Sequence, residues 1–119
     1  MNEYVINLKN SRENVKKFKS KISELSNNSR VGVWGLGRIF DVIRKNKGFD
    51  QADVKIFIDK NLAKFIDSLN GVQISVPTDI KDKKIENLII CSELYFNDIT
   101  IEAKSLDPKI NCIQYKELF

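Results

Sequence analysis

At 119 residues, 42% hydrophobic and 30% charged, with two prolines and five glycines, the chain has room for one hydrophobic core but none for a second catalytic lobe. That composition excludes a disordered or fibrous protein. The net charge of +4 comes with no nucleic-acid motif, and no apolar run approaches the roughly 18 residues of a membrane span.

Neither nucleic acid nor membrane is therefore an expected partner, and the expected location is the cytoplasm. The two cysteines, Cys91 and Cys112, lie in or beside apolar runs, which suits buried reduced thiols. With no histidine in the chain, the cysteines could supply only half of a zinc site, and no His-assisted hydrolase or dehydrogenase can be built. No metal ligand and no catalytic residue is assigned.

Tyr4, Ile6 and Leu8 alternate with less apolar neighbours, as in a short edge strand or extended anchor, and Asn10 offers an N-cap with Glu13 three residues on. A helix is expected from there to about Leu25, with Val15, Phe18, Ile22 and Leu25 on one face and Lys16, Lys17, Lys19 and Lys21 mostly in solvent. The polar run 26–29 reads as a break. Residues 1–29 thus form an extended segment and amphipathic helix packed on or beside a domain of residues 30–119.

The run 30–34 reads as a buried strand ending in Gly35-Leu36-Gly37, after which Ile39, Phe40, Val42 and Ile43 turn helical, up to a stop at Asn46-Lys47-Gly48. A second strand, 54–58, ends in Asp59. Leu62, Phe65, Ile66 and Leu69 then suggest a short amphipathic helix closed by Asn70-Gly71, followed by a third strand, 72–76, stopped at Pro77. Beyond a charged stretch at 79–84 come a fourth strand at 87–91, a helix carrying Ile99, Ala103 and Leu106, and a fifth strand at 110–114. Helices alternating with short Val/Ile-rich strands force parallel pairing through right-handed crossovers. The expected fold is a three-layer α/β Rossmann-like domain with a parallel sheet in the order 3-2-1-4-5. Its crevice opens where the winding reverses, between Gly35 and Ser92.

Gly35, Leu36 and Gly37 join a strand to a helix, where backbone free of side chains lets a phosphate reach the N–H groups at the helix start. Asp59 lies 24 residues after Gly35 at a strand tip, where an acidic side chain meets ribose hydroxyls. Arg38 could pair with a phosphate or simply be solvated. Lys60 could meet a ribose phosphate, although the aspartate beside it favours the non-phosphorylated ligand. Ser92 and Glu93 should face the crevice, with Tyr95 and Phe96 beside them, or else cap the next helix. The plainer alternative is that the glycines only make the turn and Asp59 only caps the next helix. Phe40 stands where G-x-G-x-x-G has its third glycine, and a ring there should push the helix from the strand. That would leave a site for part of a dinucleotide, for another nucleotide, or for none. A phosphoacceptor receiver would need acidic residues after the first strand, and Gly37-Arg38-Ile39 lacks the ending of a P-loop.

Val33-Trp34-Gly35-Leu36-Gly37, Phe57-Ile58-Asp59-Lys60-Asn61, Asn70-Gly71-Val72-Gln73-Ile74 with Val76-Pro77, and Leu88-Ile89-Ile90-Cys91-Ser92 occur in an order and spacing that resemble a known family. It is the small Rossmann-like domain of polysaccharide and nucleotide-sugar enzymes, related to the N-terminal domains of sugar 4,6-dehydratases and sugar acyltransferases. The resemblance covers residues 30–119 and implies binding of NAD or a nucleotide-sugar at the positions of Gly35, Gly37 and Asp59. A second copy of the chain in a homodimer, or a larger glycan-biosynthesis enzyme, is the expected partner, and the reading leans toward a module of a nucleotide-sugar modifying enzyme over a catalyst acting alone. The alternative function is a protein-interaction or oligomerisation module with a degenerate site, in which Val15, Phe18, Ile22 and Leu25 face a partner.

Overall fold

A computed structural model describes residues 11–119; the strand or anchor expected at Tyr4, Ile6 and Leu8 and the cap at Asn10 lie outside them. Helix α1 spans Ser11–Asn28, past its expected end at Leu25. The polar run that reads as a break finishes the helix instead. Ser26 Oγ donates to Ser23 O, Asn28 Nδ2 to Glu24 O and Ser29 Oγ to Leu25 O at 2.8–3.1 Å, satisfying last-turn carbonyls that would otherwise need water. Val15, Phe18 and Ile22 are buried in the protein's own core, so this face is not offered to a partner.

Six strands complete the sheet: β1 Val31–Trp34, β2 Val54–Ile58, β3 Ser68–Leu69, β4 Val72–Ser75, β5 Asn87–Ile90 and β6 Asn111–Gln114. They lie in the order β3-β4-β2-β1-β5-β6, parallel throughout except for the antiparallel pair β3 and β4. This corrects the five-strand, wholly parallel expectation. The extra strand occupies chain that was expected to be helical. Only a 3-10 turn, Leu62–Lys64, forms there, and Phe65 is left 81% exposed. Asn70 and Gly71 take left-handed backbone angles, with φ of 52° and 78°, the pair of conformations that closes a two-residue hairpin. Turn chemistry at Asn70-Gly71 therefore overrides the helical spacing of Leu62, Phe65, Ile66 and Leu69.

Helices cover both faces of the sheet. Helix α1, helix α2 (Arg38–Lys45) and the terminal 3-10 turn Tyr115–Leu118 bury Val15, Phe18, Ile22, Phe40, Ile43, Tyr115 and Leu118 against Val33, Phe57, Ile89 and Ile113. On the other face, α3 (Asp79–Asp82) and α4 (Phe96–Leu106) cover Trp34, Ile56, Ile58, Leu88 and Ile90 with Ile80 and Ala103. Phe40, 1% exposed, lies 5.2 Å from Phe49 and 5.0 Å from Phe57 between ring centroids. Its ring belongs to the layer between α2 and the sheet, and it does not line the crevice. Among the described residues no helix is long and apolar enough to cross a membrane.

Candidate functional site

Strand β1 is central, flanked by β2 and β5. The chain leaves β1 into α2 on one face of the sheet and leaves β5 toward α4 on the other, so the two connections part above the C-terminal ends of the strands. The cleft there has a volume of about 900 Å³. Eight residues singled out from the sequence line it: Gly35, Leu36, Gly37 and Arg38 from the turn, Asp59 and Lys60 from the tip of β2, Ser92 and Glu93 from the loop after β5. Tyr95 joins them, whereas Phe96 packs into the core beneath α4.

The two glycines do different work. Gly35 has φ of +101°, and a Cβ there would stand 3.3 Å from the Cys91 carbonyl oxygen, so a side chain would strain the turn and press on the neighbouring backbone. It is pinned from both sides: Gly35 N–H donates to Ile58 O at 3.3 Å, and Cys91 N–H donates to Trp34 O at 2.8 Å. Gly37 differs. Its φ of −92° needs no left-handed backbone, although its ψ of −146° lies outside the helical and extended regions, and beyond its two chain neighbours no protein atom lies within 4 Å of where its Cβ would be. The space a side chain would fill belongs to the cleft. Gly37 also caps α2 without any side-chain hydrogen bond, leaving the positive end of the helix on the open side.

On the opposite wall, Asp59 Oδ1 accepts from the N–H groups of Asn61 and Leu62 at 2.9 Å, holding the 3-10 turn that comes after β2. That is the capping role of the plainer alternative. It also fixes the carboxyl group at the cleft, and among the described residues its second oxygen has no hydrogen-bond partner. Lys60 reaches across to Glu102 on α4, with Nζ 3.0 Å from Oε1, a pairing between residues far apart in sequence that no local pattern announces. Ser92 Oγ accepts from Tyr95 N–H at 3.1 Å and so shapes the loop leading to α4.

Glu93 is committed as well. Its Oε1 accepts from Lys116 Nζ at 2.8 Å and from the hydroxyl of buried Tyr115 at 2.5 Å, and these bonds, the lysine's foremost, hold its carboxyl below the usual range. Tyr115 and Lys116 come directly after β6, where sequence patterning marks only a short terminal segment. Cys91 forms part of the cleft floor, and burial pushes its thiol up to about 12. It therefore stays protonated and is a poor nucleophile at neutral pH. Among the described residues no group of three or more Cys, Asp or Glu side chains is arranged to hold a metal ion. The cleft thus combines open backbone at a helix start on one wall, a fixed carboxylate on the other, and side chains already engaged with one another around it.

No curated protein matches the chain. Residues 27–113 match the family described as C2185-like, N-terminal, a span that includes both glycines of the turn, Asp59 and the loop after β5. The chain belongs to that C2185-like, N-terminal family.

Proposed function

We propose that the cleft binds a nucleotide, with NAD or a nucleotide-sugar as the candidate ligand, and that the chain acts as a binding module in nucleotide-sugar or surface-glycan metabolism rather than as a catalyst alone. The observation that carries this reading is the empty side of Gly37. Backbone left open beside the cleft lets a ligand approach closely, and a phosphate at the start of α2, which no side chain caps, is chemically matched to it. Asp59, on the facing wall, supports the reading because a carboxylate held in place can accept from the two hydroxyls of a ribose. The choice of NAD or a nucleotide-sugar comes from the resemblance of residues 30–119 to domains of sugar-modifying enzymes.

Thermal unfolding with NAD, UDP-glucose and inorganic phosphate tests the reading. Ligand at a hundred times its dissociation constant should stabilise the fold by about 2.7 kcal/mol. Gly37→Leu should lose that response because the side chain occupies the phosphate's place, with its ligand-free melting curve and circular dichroism checking that it still folds. A flat response of the unaltered chain to millimolar nucleotide would sink the proposal, as would full retention of binding in Gly37→Leu.

A further inference from the structure

We infer that Glu102 tunes the ligand specificity of the cleft: by pairing with Lys60 it offsets the cation beside Asp59, so that the site prefers nucleotides with free ribose hydroxyls to 2′-phosphorylated ones. The inference rests on the nucleotide reading above and assigns a selective role to a residue on the wall opposite the ribose carboxylate.

A lysine directly after an aspartate at the tip of a strand is ambiguous by itself. Its ammonium could reach a phosphate on the same ribose whose hydroxyls the aspartate accepts from. The structure removes the ambiguity by what it places across the cleft. Lys60 Nζ lies 3.0 Å from Glu102 Oε1, and both residues line the cleft. Asp98, one turn before Glu102 on α4, lines it too, so this wall is doubly acidic. Asp59, Lys60 and Glu102 together carry one net negative charge. A ribose phosphate, close to doubly negative at neutral pH, would meet that net charge and would have to compete with Glu102 for the ammonium. A free 2′-hydroxyl needs only the Asp59 carboxylate. The side chains of Lys60 and Glu102 are 58% and 38% exposed, so the pair is weak and screened, and its influence on selection is moderate and dependent on salt.

Calorimetric titration of NAD and NADP into the unaltered chain and into Glu102→Gln tests this. The unaltered chain should prefer NAD by about tenfold at low ionic strength, and Glu102→Gln should narrow the preference by about fivefold, with the narrowing shrinking in about 0.5 M salt. Adding Lys60→Gln to Glu102→Gln should restore the original preference, because the gain for NADP runs through the released ammonium. The inference is overturned if the ratio is unchanged in Glu102→Gln, if the double variant keeps the narrowed ratio, or if the unaltered chain prefers NADP. Binding of UDP-glucose with neither dinucleotide overturns it while leaving the nucleotide reading intact. Failure of all three ligands to bind overturns both.

Discussion

The two faces of the sheet are built from different chemistry. Toward α1, α2 and the C-terminal turn the core is aromatic: Phe18, Phe40, Phe49, Phe57, Tyr115 and Phe119 meet ring to ring, with centroids between 5.0 and 6.1 Å apart. Toward α3 and α4 it is aliphatic, with Ile56, Ile58, Ile80, Ile85, Leu88, Ile90 and Ile110 around the indole of Trp34 and the partly buried ring of Phe96. The difference comes from strand alternation, since neighbours such as Phe57 and Ile58 point to opposite faces. The aromatic face lies beneath the helix that presents Gly37, whereas the aliphatic face lies beneath the wall carrying Glu102. The rings thus lie under the Gly35–Gly37 side of the cleft, and branched aliphatic side chains lie under its acidic wall.

The comparison breaks most readily at Phe40. Phe40→Ala should cost about 3–5 kcal/mol in denaturant unfolding, because it deprives Phe49 and Phe57 of a shared partner as well as leaving a cavity. On the aliphatic face Ile90→Val, at an equally buried position, should cost only about 1 kcal/mol. A loss at Phe40→Ala no larger than that at Ile90→Val would show that the aromatic layer repacks around the missing ring rather than depending on it.

The smallest expected effect links the aromatic face to the cleft. Tyr115, whose ring lies 5.2 Å from that of Phe119, also holds Glu93. The Glu93 carboxyl is depressed in the folded protein, so its contribution is present above the unfolded value near 4.5 and is lost as pH falls through the folded one. Glu93→Gln should therefore lower the melting temperature slightly at about pH 6, by the equivalent of under about 1 kcal/mol given its exposure, and the difference should shrink as the medium is acidified below the unfolded value. A difference that persists undiminished in acid would mean that the hydrogen bond to Tyr115 matters and the charge does not.

Much of this frame is legible in the amino-acid order. Val31–Trp34, Val54–Ile58 and Asn87–Ile90 are apolar runs whose burial on both faces leaves little room for another interpretation, and they carry the turn, Asp59 and Ser92 with them. What escapes is decided by competition or distance. At 62–71 the helical spacing of apolar residues and the turn propensity of Asn70-Gly71 pull in different directions, and the dipeptide is the better guide, since a hairpin is the usual meaning of that pair. Phe40 reads as an obstruction only while its partners are unknown; Phe49 and Phe57 turn it into a core residue. The pairs Lys60 with Glu102 and Glu93 with Lys116 join separate elements, and surface charges carry no mark of their partners in sequence.

The short strand β3 has a consequence for solubility. Without it the sheet would end on β4, leaving a row of amide and carbonyl groups open to pairing with a strand from another molecule. Doubling back at Asn70-Gly71 covers that margin with a segment only two residues long, Ser68–Leu69, which is too short to serve as a template in turn. The hairpin thus guards against aggregation at one border of the sheet.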